Sequence, residues 1–448
     1  MHRAGWTIVL GVLLGGVAAC TTTTPSADAT GVGDTDVAGS AAGPAEVSGG
    51  DAAASGDAGA SADTPHQVDA PSREADGDAG PQPRFDAVDG GDTIVPDGGS
   101  DDGIDGVGLW TTQVETPSGR VLPVAVWYPA RVPPDAEGER YLGLLAGQAV
   151  RDAPARAGGP WPLVVFSHGN QSLKEQSIFL TEFLAAQGYV VAAPDHVGNT
   201  FLTYDESQLV TIARERPADL SAVIDRFEAP EPEDPAWVHD RVDTEHIAAI
   251  GHSFGGYTVL ALGGAPVGTP EIAVAYCEDH PDEAGCAEVL ADPDAVDALG
   301  DPRVDVIVPM APAGYVAFGA EGLAQVWAVS LVMVALDDTL TPYATEAKPI
   351  FEALPPPRYL WTVAAGGHFV FSDFCTVAAE LPPGAVGEMG DACSPDLPIT
   401  PDVSHVLIDE VVLALLDAYL KGDAEARARL DAGEAGTDNP HVQFEAVP

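Results

Sequence analysis

The sequence predicts an α/β fold with a mostly parallel central sheet and helices on both faces. Three observations lead there. From about residue 107 onward, short runs of β-branched and small apolar residues alternate with segments of helical periodicity. Several of the runs are apolar at every position, the pattern of strands covered on both faces. One such run leads straight into a serine between glycines, and a helical pattern follows at once.

Taken in order, "RVLPVAVWYPA" (120–130) alternates apolar and other residues and reads as an early antiparallel strand. "PLVVFSHG" (162–169) is a continuous apolar run stopped by Gly169, hence a strand buried on both faces. "SIFLTEFLAAQGY" (177–189) has helical spacing, with Gly188 as its stop. "VVAAPDH" (190–196) is another buried strand, and "RPADLSAVIDRF" (216–227) starts a helix with Pro217 in the first turn. "EHIAAIGHS" (245–253) is a strand, and "FGGYTVLALGG" (254–264) is a helix. Further strands follow at 304–312, 330–342 and 358–364.

The stretch "AAIGHSFGGYTV" (248–259) places Ser253 between Gly251 and Gly255. A strand, a sharp turn of small residues and a helix form the setting in which a serine hydroxyl is presented as a nucleophile. The glycines are needed because backbone segments crowd such a turn, and the helix N-terminus adds positive potential for an oxyanion. The alternative is a structural serine in a strand–helix turn. A serine hydroxyl needs a general base, itself oriented by a third group. After turns of this kind an acid and then a histidine come later in the chain. Asp337 and Asp338 end the strand at 330–342, and His368 sits on a glycine-flanked loop after the strand at 358–364. Either aspartate could instead be a turn acid. The amides of Phe254 and Asn170 are the expected oxyanion-hole donors, with Gly169 allowing close approach. His168 is expected to hold that loop by hydrogen bonds, while His196 and Asn199, after a strand's carboxyl end, are candidate pocket residues, with a structural turn as the alternative.

The whole chain has 448 residues and a formal net charge of −50. Nothing so acidic can neutralise phosphates along a strand, which excludes nucleic acid as a partner. Residues 1–20, "MHRAGWTIVLGVLLGGVAAC", have a short basic start, an apolar run too brief for a spanning helix, and small residues before Cys20. "VAAC" resembles a bacterial lipobox, which implies lipidation of Cys20 and a membrane anchor outside the cytoplasm; an ordinary secretory signal is the alternative. Thr21 follows, and an Asp there would have pointed to the inner membrane, so the outer membrane or cell surface is favoured. Residues 21–106 are Ala, Gly, Asp, Ser, Thr and Pro with about eighteen acidic residues against two arginines, the composition of an acidic disordered tether. Residues 107–448 then form one catalytic domain. Setting Cys20 aside, four cysteines remain. Their even number in an exported chain predicts two disulfides, most simply the neighbours Cys277–Cys286 and Cys375–Cys393, with free thiols as the alternative.

From Trp110 to Gly422 the chain resembles the α/β-hydrolases of the platelet-activating-factor acetylhydrolase-like group, often labelled "predicted dienelactone hydrolases". The resemblance rests on "LPVAVWYPA", "PLVVFSHGNQS", "GYVVAAPDHVGNT", "RPADLSAVID", "GHSFGGYT", "DDTLTPYATE", "AGGHFVFSDFC" and "LLDAYLKGD". It implies the α/β-hydrolase fold and a serine esterase that needs no metal or organic cofactor. In that group the acid is usually followed four residues later by proline, which selects Asp338, ahead of Pro342, over Asp337. The same resemblance supports Asn170 and Phe254 as oxyanion donors. True dienelactone hydrolases use a cysteine nucleophile, and the serine here departs from them. Short-chain or phospholipid-like acyl esters are the implied substrates; a cutinase-like polyester hydrolase and a non-catalytic surface binding protein are the alternatives. The region 265–303, with Cys277 and Cys286, exceeds a minimal core and reads as a disulfide-bearing insertion bordering the acyl pocket.

Overall fold

The computed structural model describes residues 103–266, 299–381, 397–435 and 439–448, with positions 274–275, 277–278, 281, 286–291 and 393 besides. The export signal, Cys20 and nearly all of the tether lie outside these residues, as does most of the expected insertion.

The chain enters the fold earlier than expected, at β1 (Ile104–Glu115), which pairs antiparallel with β2 (Val121–Val132) from Ile104 opposite Val132 to Glu115 opposite Val121. Three two-residue strands follow, β3 (Arg140–Tyr141), β4 (Leu145–Ala146) and β5 (Val150–Arg151). Then come β6 (Trp161–Ser167), α1 (Ile178–Ala186) and β7 (Val190–Pro194). Next are α2 (Leu209–Glu228), α3 (Ala236–Asp240), β8 (Val242–His252) and α4 (Phe254–Leu262). After α5 (Cys286–Ala291) the chain continues through β9 (Val304–Met310), α6 (Tyr315–Leu323), β10 (Val329–Ala335) and α7 (Ala347–Ala353). It closes with β11 (Arg358–Val363), α8 (Phe374–Ala379), α9 (Pro401–Leu420), α10 (Ala424–Asp431) and β12 (Val442–Val447).

Ten of these strands form one sheet in the order β12-β11-β10-β9-β8-β6-β7-β2-β1-β5. The six from β7 to β11 run parallel, while β2 and β12 join antiparallel. Alternate residues of one strand enter different cores: Leu163 and Val165 pack with α2 and α4, whereas Val164 and Phe166 pack with α1 and α9. This is why the central strands read as unbroken apolar runs. Each fully buried Leu or Val contributes about 1.5–3 kcal/mol, so covering both faces stabilises the centre of the sheet most. The chain leaves β6 for β7 on one side, then crosses to β8 on the other, so the strand order reverses at β6. At such a reversal the loops beyond the carboxyl ends part and leave a crevice.

Three expectations need correction. The helix placed at 216–227 starts at Leu209, and Pro217 stands in its interior, because Leu209 and Ile212 extend its buried face upstream. Proline leaves the carbonyl four residues back without its helical donor; the hydroxyl of Tyr257 lies 3.4 Å from that oxygen, on Ala213. β1 and β12 were not expected as strands. β12 is a six-residue edge segment with one buried position, Val442, and only its pairing to β11 defines it. Both expected disulfides, Cys277–Cys286 and Cys375–Cys393, are present.

Glu346, the residue before α7, ties that helix to the start of α6. Its Oε2 accepts the N–H groups of Gly314 and Tyr315, each at 2.9 Å. Burial raises its carboxyl from 4.5 to about 7, against the lowering effect of those two donors. A raised carboxyl favours folding fully below its unfolded value, and that contribution is lost as pH rises through the folded value. Between pH 4.5 and 7.5, Glu346→Gln should therefore gain about 3 kcal/mol on the wild type. Urea unfolding of both proteins across that range measures it, and parallel profiles would contradict the assignment.

Candidate active site

The serine turn is set by how closely three backbone segments approach. A Cβ on Gly255 would lie 1.9 Å from the Ser167 carbonyl oxygen at the end of β6, and one on Gly251 would lie 2.1 Å from the Gly255 oxygen. No side chain fits at either place. Between them Ser253 is held at φ 59°, ψ −115°, a conformation that costs a non-glycine residue about 1–3 kcal/mol. Its N–H donates to the Met310 carbonyl at the end of β9, which fixes the turn from below. Ser253 stays partly exposed while all of α4 behind it is buried. Phe254 opens α4, and the first amides of a helix have no intrahelical acceptor.

The acid follows the end of β10 and the histidine the end of β11. His368 Nδ1 donates to Asp338 Oδ2 at 2.8 Å, so in the neutral ring Nε2 is the nitrogen that accepts. Asp338 Oδ1 accepts the N–H groups of Leu340 and Thr341, at 2.8 and 2.9 Å, and the Thr341 hydroxyl lies 2.8 Å from Oδ2. Burial pushes this carboxyl up, but the His368 charge and hydrogen bond, with the donors of Thr341, outweigh it and hold Asp338 below the usual carboxylate range. Asp337 does not contact His368 through its carboxylate. It accepts the N–H groups of Gly366 and Gly367 at 3.3 and 2.9 Å, fastening the loop that presents the histidine. The His252 and His368 rings are 4.7 Å apart, so the serine turn and the histidine loop meet beyond the carboxyl ends of the parallel strands.

The loop after β6 completes the group. A Cβ on Gly169 would sit 3.4 Å from Ser253 Cβ, so this loop passes directly over the serine. His168 is fully buried; its Nδ1 donates to the Gly169 carbonyl at 2.7 Å and its Nε2 accepts the His196 N–H at 3.1 Å, the loop-holding arrangement expected from the sequence. Asn170 Oδ1 accepts from Asn199 Nδ2 at 2.7 Å.

His196 and Asn199, the candidate pocket residues, are both fully buried and form part of the support beneath the loop instead. His196 donates from Nδ1 to Asp219 and accepts at Nε2 from the Ser167 hydroxyl, both at 2.9 Å. Burial and then Arg216 hold both His168 and His196 well below the ordinary histidine value, so each ring is neutral, with one nitrogen to donate and one to accept.

Arg216 is the centre of this support, and sequence reasoning missed it. The guanidinium is fully buried and donates to Asn199 Oδ1, Ser167 Oγ, Thr258 Oγ1 and the His168 carbonyl. It also lies over the Phe254 ring, 4.7 Å from the centroid. One side chain thus braces both expected oxyanion residues, Phe254 directly and Asn170 through Asn199. Burial brings Arg216 down to about 9, so it remains charged at neutral pH. Asp219, which burial raises to about 6, stays ionised beside it and takes two bonds from Arg120 at 2.8 and 3.1 Å. The signal was present: Arg216 stands at a core position of α2, four residues from both Ile212 and Leu220, where a charge needs an explanation.

Comparisons with known proteins agree with this architecture. A family model described as "Platelet-activating factor acetylhydrolase, isoform II" matches residues 138–219. The chain is 28% identical over 164 residues to the platelet-activating factor acetylhydrolase of Canis lupus familiaris, and 27% identical over 159 residues to that of Bos taurus. Each match covers 27% of this chain and 36% of the relative's length. A solved ferulic acid esterase from Streptomyces cinnamoneus superposes with a TM-score of 0.51 at 21% identity, over 76% of this chain and 96% of that one. That likeness shows the fold, an α/β-hydrolase. The family model and the two relatives show a similarity to platelet-activating factor acetylhydrolases over part of the chain.

Arg216→Lys should lose the fork that reaches several acceptors at once. Leaving them buried without donors is expected to destabilise the protein by at least about 3 kcal/mol, read as a lowered urea midpoint with unchanged slope. A midpoint within error of the wild type would show that the brace contributes nothing.

Proposed function

We propose that this chain is a serine carboxylesterase with Ser253 as nucleophile, His368 as general base and Asp338 as the group that orients it. The observation that carries the reading is the strained Ser253 backbone, wedged between two glycines that admit no Cβ, beyond the same carboxyl strand ends as the Asp338–His368 pair. Strained backbone of this kind recurs at active sites, where the surroundings hold it in place.

In this reading, His368 Nε2 takes the proton of Ser253 as Oγ bonds to the ester carbonyl carbon. The negative charge that develops on the carbonyl oxygen is received by the N–H groups of Phe254 and Asn170, each donor worth about 3 kcal/mol in such sites. His368 then gives the proton to the departing alcohol as its C–O bond breaks. A water molecule, deprotonated by the same histidine, then attacks the acyl carbonyl carbon, and His368 returns the proton to Ser253 Oγ as the bond between Oγ and that carbon breaks and the acid leaves. Asp338 stabilises the imidazolium throughout without taking its proton. The substrates proposed are short-chain acyl esters, phospholipid-like ones included. The named activity of the canine and bovine relatives, acetylhydrolysis of platelet-activating factor, favours this class over polyesters.

The full chain should hydrolyse p-nitrophenyl esters between acetate and decanoate with an optimum toward the short end. Ser253→Ala should lower kcat by a factor of at least about 10⁴ while remaining folded. Equal inertness of both proteins, with no labelling of Ser253 by a fluorophosphonate, would favour the binding-protein alternative.

The anchoring reading is likewise a proposal. It rests on "VAAC" at 17–20 after an apolar run. In a bacterial host, radiolabelled palmitate should enter the protein and be lost in Cys20→Ser, which should leave the membrane fraction. Incorporation that survives the substitution would remove Cys20 as the lipidated residue.

A further inference from the structure

Two side chains in series, Gln176 and His252, span the gap between the loop that passes over Ser253 and the loop that carries His368. Gln176 Oε1 accepts the Gly169 N–H at 2.7 Å, and Gln176 Nε2 lies 3.0 Å from His252 Nδ1 and 3.3 Å from Ser177 Oγ. His252 Nε2 in turn lies 2.8 Å from the His368 carbonyl oxygen. Both ends of this relay are backbone groups, so its polarity is not free. The Gly169 N–H can only donate, which turns the amide oxygen toward it and the amide nitrogen toward His252. The His368 carbonyl can only accept, so the His252 proton is on Nε2 and Nδ1 accepts from Gln176. Burial, and then the neighbouring His368, push His252 down to about 3, which keeps the ring neutral with a single proton to place. Two further bonds run alongside: the Ser177 hydroxyl donates to the Phe371 carbonyl at 2.8 Å, and the Asp373 N–H donates to the Gln176 carbonyl at 2.9 Å.

We propose that Gln176 is a positioning residue that sets the oxyanion loop in register with the general base, acting through one tautomer of His252. The proposal deepens the esterase reading and rests on it. Gln176 does not touch the substrate in this account; it holds Gly169, and with it the Asn170 amide, at a set distance from the backbone of His368. The two loops come from strands on opposite sides of β8, and misplacement by about 1 Å between reacting groups can lower a rate about 100-fold. The relay is therefore placed where a small slip has a large effect on turnover.

The test uses the full chain, p-nitrophenyl acetate and a fluorophosphonate. Gln176→Leu is similar in size but removes the bonds to Gly169, His252 and Ser177. It should lower kcat by about 10- to 100-fold with KM within about threefold, and slow Ser253 labelling in parallel. Gln176→Glu preserves the acceptor for Gly169 but sets a carboxylate against His252 Nδ1, which then requires a proton. At low pH His252 can hold both protons and keep its bond to His368. As pH rises the remaining proton goes to Nδ1, the Nε2 donor is lost, and the His368 carbonyl faces a lone pair. His368, Asp338 and the Phe371 ring, which also face His252, are unchanged by the substitution. The expected signature is an alkaline fall in kcat for Gln176→Glu that the wild type lacks, which a general loss of packing would not produce. Wild-type kcat and labelling rate in Gln176→Leu would overturn the proposal, as would a Gln176→Glu profile parallel to the wild type. Should Gln176→Leu fail to fold, the profile of Gln176→Glu decides alone. A wild type that neither turns over esters nor labels fails the esterase reading first, and this inference with it.

Discussion

The approach of the serine turn to the end of β6 is the constraint on which the rest of the structure depends. With less than 2 Å between a would-be Gly255 Cβ and the Ser167 oxygen, α4 can only begin where it does. Ser253 is then forced into its left-handed conformation, and the loop after β6 must pass over it. The hydrogen bond from Ser253 N–H to Met310 adds the third side of the same vise. Strain of this kind persists only if the surroundings over-determine it. Here they do: β6, β8 and β9 are buried on both faces and cannot shift without opening two cores.

Beneath that turn the molecule carries an unusual load of buried polar groups. Arg216, His168, His196, Asn199 and Asp219 are all shielded from water, and each would be expensive if unpaired. The network closes because polarity alternates along it. The guanidinium supplies donors, the carboxylate and carbonyls accept, and the histidines, kept neutral by burial, do one of each. Such a network specifies a single arrangement of the loop above it, since any other would leave a buried donor or acceptor without a partner. The histidine side of the site is organised by the same principle, with Asp337 fastening Gly366 and Gly367 and Thr341 completing the shell of Asp338.

Much of this was legible in the chain. The central strands declared themselves because burial on both faces leaves no polar position to confuse the pattern. Ser253, Asp338 and His368 were found as candidates because the order of strand ends along the chain is also their order along the carboxyl end of the sheet. The elements misread were those whose local sequence lacks a strong signal. β12 is short and exposed, and its state is decided by β11 beside it; α2 tolerates Pro217 because of its packing and a hydroxyl from another helix. His196 and Asn199 read equally as pocket residues or as a structural turn, and burial beneath the loop accords with the second.

The sequence by itself determined the fold class and the order of the candidate residues, and suggested the cysteine pairings that the structure contains. These follow from local periodicity, from glycines where backbone must approach backbone, and from counting. Only the tertiary structure decided which polar side chains brace the site. Arg216 to Asn199 spans 17 positions, Gln176 to His252 spans 76 and Ser177 to Phe371 spans 194. Partners so distant leave no periodic trace, because a hydrogen bond depends on position in space, and the strand reversal at β6 brings these positions together.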